Sequence, residues 1–519
     1  MQPSSDGWIK RFGINALSSL AMRLLSVTVL VWVNQHLLRR IDPEEYSLFP
    51  LVMSLVVFGD LFVAIFVGGV SRHLVEAHHR GDPHGVTRIV SSMLVVLIPA
   101  SLVLGVAGVL TAWNIDAVLE VEPTYVGQAR VMLILTVATI CLMAATTPIS
   151  QGLYVRERFV ADNIVGLGCE VLRIALLLML MFAAGTRVMW LVVASTAATL
   201  VNRAVQIVLT RRVLATARFD RSLVSWTTMK DVLSFGAWTS VFVLRQLLSG
   251  TAPILLLNRF ASPLDVAMFH AGRLPETQIR NLLQAIEGPS QPALIGLYAR
   301  EGKSAVDLLY YRGGRYYLWL VLLPIAPLLV FAQPLYRLYA GDEYARAGLV
   351  MVAFLASYPF QFASAMYYRA AHAIGRIGAF HTYSLLLQLV TVAAIYYAVA
   401  IRGGGAVAAA FAIGLTYAVL HVLMIWPMGL RLVGGRWSAF AKQTLARGLL
   451  PFGAGLTSSL VMARFIAVDS WWTLGVVTCC AVAVYLGVLF AGCLDEIDRS
   501  LLERAFQSMG IRTSRRTRG

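Results

Sequence analysis

Five arginines, Arg23, Arg173, Arg245, Arg273 and Arg280, stand inside long apolar runs rather than at their edges. A guanidinium at the centre of a bilayer helix costs about 2.5–3.5 kcal/mol on insertion scales, so these side chains must face protein or water. A guanidinium grips carboxylate or phosphate through paired, charge-assisted hydrogen bonds. The densest group of polar residues lies between 266 and 294. There His270, Arg273, Glu276, Arg280, Gln284, Glu287 and Gln291 follow one another at three- or four-residue steps. That spacing puts all seven on one helix face. Leu274, Ile279, Leu282, Leu283 and Ile286 lie opposite, and Pro275 is expected to kink the helix early. Such a helix is stable in a bilayer only when its polar face meets an aqueous cavity or satisfied partners. Internal pairing, Arg273 with Glu276 and Arg280 with Glu287 or Gln284, would serve packing alone. Five or more polar groups on one stripe exceed that need, so the spacing predicts a face lining a wet path.

Two other deep acids, Asp60 and Glu170, could each bind a coupling proton or sodium ion, or could neutralise Arg23 or Arg173 instead. Arg130 and Arg203 sit nearer the ends of their runs, where a long side chain reaches the interface, and have no expected role. Gly68-Gly69, Gly166-x-Gly168 and Gly403-Gly404-Gly405 read as close helix packing or hinges. There is no Gly-x-x-x-x-Gly-Lys-Ser/Thr loop to cradle phosphates, so ATP hydrolysis is not expected. His73, His78, His79 and His84 crowd one loop without the carboxylates or cysteines of a metal site. Asp42, Glu44 and Glu45 in the first external turn would suit metal-dependent glycosyl transfer, but no connection is long enough to hold an acceptor domain. The chain is therefore not expected to be an enzyme, and neither a cofactor nor a resident metal is implied.

The elements that must position these residues are membrane spans. The chain has 519 residues, is 58% hydrophobic and 13% charged, and has a mean hydropathy of +0.72. Soluble domains are nearer a quarter charged, so the composition is that of an all-α polytopic membrane protein. With roughly 20 apolar residues per span, fourteen are expected, at about 15–38, 47–70, 88–112, 127–148, 161–184, 188–209, 233–257, 266–294, 316–339, 347–368, 379–401, 404–427, 447–468 and 471–494. The first follows Lys10-Arg11, is too long for a signal-peptide core and lacks a cleavage site, so it reads as a retained span. Two stretches repeat one pattern: Phe12-Gly13, Arg23, Arg40 and Pro43-x-Glu45-x-x-x-Phe49, then Phe235-Gly236, Arg245, Arg259 and Pro263-x-Asp265-x-x-x-Phe269. Duplicated membrane halves commonly place a substrate path between the copies. An arginine at corresponding depth in each copy points to an anionic cargo.

Most Lys and Arg lie in the termini and the even-numbered connections, which places both termini in the cytoplasm. This bias, with the tail from Arg512 to Arg518, accounts for much of the net charge of +16. The tail reads as a contact for anionic headgroups, not nucleic acid. The connection 210–231 carries Arg211, Arg212, Arg218, Arg221, Lys230 and Trp226, and is read as an amphipathic interfacial linker joining the halves. All five cysteines lie in apolar runs, so no disulfide framework is implied.

The Phe-Gly opening and the Pro-Glu-Glu-Tyr-x-x-Phe turn at 43–49 resemble the polysaccharide transporter family. So do the run from Asp60 to Arg72, Arg156-x-Arg158-Phe159-x-x-x-Asn163 and Gly341-Asp342-Glu343-Tyr344. These are flippases of undecaprenyl-diphosphate-linked oligosaccharides, within the multidrug/oligosaccharidyl-lipid/polysaccharide exporter superfamily, and the resemblance covers about residues 8–495. It implies two pseudo-symmetric six-helix lobes around a central cavity, 1–209 and 232–428, joined by 210–231, with two extra helices in 429–494 and a basic tail at 495–519. It implies a polyprenyl-diphosphate-linked glycan as substrate, in a bacterial cytoplasmic membrane, with a polymerase and other glycan-assembly proteins as partners. Arg23, Arg245, Arg273 and Arg280 are then expected to hold the head group. Glu276, Gln284, Glu287 and Gln246 would take sugar hydroxyls or tune the arginines. Coupling by H+ or Na+ would fall to Asp60, Glu170, Glu276 or Glu287. The sodium site of some relatives is not matched, since Thr239, Gln246, Gln388 and Thr391 occupy spans 7, 11 and 12 without an acid. Competing expectations are a flippase for the peptidoglycan precursor lipid II and a multidrug or cation antiporter.

Overall fold

A computed structural model of the chain describes residues 28–156, 158–287, 303–374, 376 and 378–500. Among the described residues every regular element is helical. The first half holds α1 (28–38), α2 (Pro43–Val67), α3 (Val70–His79), α4 (Pro83–Trp113), α5 (Val126–Ser150), α6 (Phe159–Ala183) and α7 (Met189–Val213). Then follow α8 (Trp226–Phe260), α9 (Pro263–Glu287), α10 (Lys303–Val330), α11 (Ala347–Leu355), α12 (Tyr358–Phe362) and α13 (Met366–Ile374). The last are α14 (Gly378–Tyr396), α15 (Ala406–Leu420), α16 (Arg447–Phe465) and α17 (Trp471–Val488).

Ten stretches among the described residues are long and apolar enough to cross a membrane, or eleven with one bent pair. The fold class is thus the expected all-α polytopic one. Of the three expected spans left over, the first lies half outside the described residues, and the seventh and eighth correspond to α8 and α9. The polar stripe keeps α9 below the apolar threshold although it is a continuous 25-residue helix running through Pro275. The bent pair is a difference from the sequence reading, which drew 347–368 as one span. Asp342–Phe362 and Met366–His372 meet at 44°. Pro359 removes a backbone donor at the first break. The hydroxyls of Ser357 and Ser364 bond to the carbonyls of Phe354 and Gln361, competing with the helical ladder.

The repeated turn explains two helix starts. Pro43 and Pro263 open α2 and α9, where a missing N–H costs nothing. The acid two residues on then ties down the beginning of another helix. Glu45, only 8% exposed, accepts from the N–H of Val188, just ahead of α7, at 3.1 Å and from Gln128 at 2.9 Å. Asp265 accepts from the N–H of Ala406, the first residue of α15, at 2.8 Å, and also holds Ser262. A Cβ on the preceding Gly405 would stand 2.0 Å from that carboxylate, so the approach needs glycine. Both acids face orphan N–H groups at a helix's positive end. The Gly341-Asp342-Glu343-Tyr344 turn needs glycine for another reason, a φ of 102°.

The chain divides into two compact units, Met1–His270 with Ile395–Ala406, and Ala271–Ala394 with Val407–Gly519. In the first, α2 packs on α8, α4 on α5, and α7 on both α5 and α6. A buried core of Val70, Leu74, Val90, Met93, Leu97, Val155 and Val232 lies at one end. The 210–231 connection passes through a short helical turn at Arg221–Leu223, and its backbone is held to α4. Thr87 Oγ1 donates to Thr216 O (2.8 Å), while Ser91 and Ser92 accept from the N–H groups of Asp220 and Ser225 (2.8 and 2.9 Å). In the second unit α10 packs on α16, and α16 on α17. There Arg315, 1% exposed, binds Asp498 at 2.7 Å and Asp495 at 3.2 Å, and Arg312 and Arg447 approach Asp495 at 3.6 Å. This knot fastens the residues after the last span to α10.

Candidate functional site

Within the second unit the polar face of α9 closes on one carboxylate. Glu276 Oε1 accepts from Arg280 Nε at 2.8 Å, and Oε2 accepts from Arg273 Nε at 3.3 Å. The Tyr358 hydroxyl lies 3.2 Å from Oε1 and 3.3 Å from the Glu276 backbone oxygen. The Glu276 side chain is 4% exposed, whereas Arg273 and Arg280 remain 28% and 41% exposed. The guanidinium of Arg280 lies 5.8 Å from the Tyr358 ring centre, and that of Arg273 lies 5.6 Å from that of Phe354. One anion therefore serves two cations, which leaves the cluster with one more positive than negative charge among the described residues. Its guanidiniums are oriented by aromatic faces and by a buried acceptor.

Local structure explains the arrangement. Residues 273, 276 and 280 are three and four apart on α9, and a Glu placed four before an Arg is the favourable order. Arg280 pairs with Glu276, while its expected partners, Glu287 or Gln284, have side chains outside the described residues. Tyr358, the first residue of α12, meets α9 through its hydroxyl. On α9's other side the Tyr336 hydroxyl donates to the Ala271 carbonyl at 2.7 Å. Gly272 sits so close to Ala347 and Val350 that a Cβ would collide with both. Tyr417 and His421 lie within electrostatic reach of Arg280. Sequence reasoning missed Phe354, Tyr358, Tyr417 and His421. The signal for Tyr358 was there, in a Ser357-Tyr358-Pro359 break inside an apolar run.

The other predicted residues divide as follows. Arg23 lies outside the described residues, as do the side chains of Arg245, Gln246, Gln284 and Glu287. His270 packs between the rings of Tyr46 and Phe49, 5.9 Å from each, in the first unit. Glu170 holds Arg173 through two hydrogen bonds of 2.9 and 2.6 Å. Asp60 is exposed on α2 and has no ion-pair partner among the described residues. Gln388 pairs with the Tyr417 hydroxyl at 3.0 Å, and Thr391 donates to its own helix. Among the described residues no cluster of His, Cys, Asp and Glu could hold a metal ion.

Arg203 corrects an expectation. It does not reach the interface but is 8% exposed, with Nε 2.9 Å from Met143 Sδ and its guanidinium on Ser150 Oγ. No carboxylate pairs with it among the described residues. The short helix Gly152–Val155 explains the burial: the N–H of Gly152 donates to Thr210 Oγ1 at 2.9 Å and closes this end of α7. Arg130, by contrast, stays near its span end, 3.4 Å from Asp116 and 5.8 Å from the Trp113 ring centre.

No protein-family model matches the sequence. The uncharacterized membrane protein EpsK of Bacillus subtilis (strain 168) is 21% identical over 336 residues, 64% of this chain. The match spans 66% of EpsK's length, slightly under two thirds. The fold is similar to that of the lipid II flippase MurJ in an inward closed conformation, with a TM-score of 0.66 and 12% identity, covering 94% of this chain and 99% of that one. It is also similar to a multidrug resistance MATE family transporter of the MOP superfamily in an inward-facing conformation, with a TM-score of 0.63 and 15% identity. That match covers 83% of this chain and 99% of the other. The architecture is shared with membrane transporters.

Proposed function

Starting from a fold shared with transporters of the multidrug/oligosaccharidyl-lipid/polysaccharide exporter superfamily, we propose that this chain is a flippase for a polyprenyl-diphosphate-linked oligosaccharide. The cargo is the repeat unit of an O-antigen, capsule or exopolysaccharide. It moves from the inner to the outer face of the bacterial cytoplasmic membrane, with both termini cytoplasmic, by alternating access between lobes 1–209 and 232–428. The observation that carries the reading is the pair Arg273 and Arg280 sharing one buried carboxylate. A diphosphate and its sugars cannot cross about 30 Å of hydrocarbon unaided. Guanidiniums match phosphate oxygens bidentately, and Glu276 makes two of them tolerable in a membrane while leaving net positive charge for the head group. Arg23 and Arg245 extend the same role, with Gln246, Gln284 and Glu287 on the sugars. Asp60, Glu170, Glu276 and Glu287 are the groups through which H+ or Na+ would drive the cycle, and a polymerase would receive the product.

A lipid II flippase is the second reading, favoured by the similarity to MurJ and by the same diphosphate chemistry. An antiporter of cationic drugs fits less well, because an arginine pair repels its cargo. The deciding experiment deletes the gene and identifies the lipid-linked glycan that builds up on the cytoplasmic leaflet. An exopolysaccharide repeat unit supports the first reading, lipid II the second, and no accumulation overturns both. In the deletion strain Arg273→Ala and Arg280→Ala should each abolish export while the protein still accumulates in the membrane. Full complementation by both would remove the head-group assignment.

A further inference from the structure

A second basic site lies in the first unit, unrelated to the α9 cluster. The chain leaves the short Gly152–Val155 helix at Arg156 and enters α6 after Arg158, passing the end of α7. Arg156, Arg158 and Arg212 line a cavity there of about 540 Å³, with Leu209 and Val213 as its apolar wall. The Nε of Arg156 donates to the Val213 carbonyl at 3.0 Å, which fixes one guanidinium against α7. Neither Arg158 nor Arg212 has a carboxylate partner among the described residues. The nearby Asp162 is occupied by the Gln206 amide and does not line the cavity. On the other side of the short helix a second cavity holds Arg72 and Glu76, but Glu76 is taken by Arg80 at 2.6 Å. His78 lies within electrostatic reach of Arg156 and adds no negative charge.

Three guanidiniums lining one cavity, with no acidic side chain among its described lining residues and with two aliphatic side chains at the end of a membrane span, match an amphiphilic anion. We propose that Arg156, Arg158 and Arg212 bind the phosphate group of a membrane lipid, whose first methylenes lie along Leu209 and Val213. Phosphate offers the acceptor oxygens that a guanidinium fork requires. The aliphatic wall favours a lipid over a soluble anion. Two lipids present this chemistry, an anionic phospholipid of the bulk bilayer and a polyprenyl diphosphate. The site does not depend on the flippase reading, since either lipid would occupy it in a transporter of any cargo.

The test uses the full-length protein in detergent micelles, with native mass spectrometry counting retained lipid. The probes are phosphatidylglycerol, undecaprenyl diphosphate and, as a zwitterionic control, phosphatidylcholine. The variant is R158A/R212A, which leaves the structural Arg156 in place. R158Q/R212Q serves as a second variant should the first elute as aggregate. Retention of an anionic lipid should fall about tenfold or more, at about 1 kcal/mol per basic residue near the surface. R158K/R212K should recover part of it. Loss confined to phosphatidylglycerol identifies a bulk phospholipid, and loss confined to undecaprenyl diphosphate identifies the carrier. Unchanged retention of both, or an equal loss of phosphatidylcholine, overturns the site.

Discussion

Two buried charges on this chain obey opposite rules. Glu276 is surrounded by donors, so removing it strands two guanidiniums. Glu276→Ala should cost about 3–5 kcal/mol of stability, read as a lower melting temperature in detergent, and should cost more than Arg273→Ala, which leaves the carboxylate its Arg280 and Tyr358 partners. Arg203 has no anion to lose. Replacing a buried, carboxylate-free guanidinium with an apolar chain of similar volume is often neutral or stabilising. Arg203→Met should therefore keep or raise the melting temperature, and a drop of more than a few degrees would mean that Met143 and Ser150 satisfy the charge well. The Arg273–Glu276–Arg280 spacing was legible because three- and four-residue steps put those residues on one helix face whatever surrounds them. The depth of Arg203 was not, because a residue's distance along a span does not reveal which helix covers it. Tyr358 was also hidden, since its approach to Glu276 is a contact across 82 residues rather than part of any local period.

At the scale of elements, the Pro-x-acid turns were recognised as a repeat, but their work was not. They were read as landmarks of a duplicated half, and each proves to hold the first N–H groups of a distant helix. Sequence spacing cannot reveal a bond across more than 140 residues, such as Glu45 to Val188 or Asp265 to Ala406. Glu45→Ala and Asp265→Ala should each cost about 1–3 kcal/mol, the penalty of a buried donor left unmet. Gly405→Ala should fall in the same range through overlap with Asp265, and all three are measurable by thermal unfolding. The knot after the last span makes a pH prediction. Burial pushes the Asp495 carboxyl up, but the Asp498 backbone N–H and the Arg315 and Arg312 guanidiniums outweigh it and hold it below the usual range. A depressed carboxyl contributes stability above its unfolded pKa, about 3.9, and that contribution is lost as pH falls through the folded value. Hydrogen exchange at 495–500, corrected for intrinsic rates, should therefore accelerate on acidification below about pH 4, and constant protection down to pH 3 would contradict the assignment.

For the molecule as a whole, the all-α polytopic class followed from hydropathy, because a bilayer demands about 20 apolar residues of helix from any crossing segment, and ten or eleven of the fourteen expected spans qualify among the described residues. The span that breaks and the one carrying charge both contribute to the α9 cluster. That coincidence has a physical basis: polar groups and broken ladders are tolerated at membrane depth only where protein or water satisfies them. The acid tethers carry a last consequence, for how the two halves could diverge. Glutamate reaches the N–H of Val188, which follows Arg187 in the chain, whereas the shorter aspartate reaches its helix start beside a bare glycine. Swapping the heptapeptides 43–49 and 263–269 would thus place each acid one methylene wrong for its new neighbour. A working graft has to carry the residue at 187 or 405 along with it, so in descendants of this chain those distant positions should drift in step.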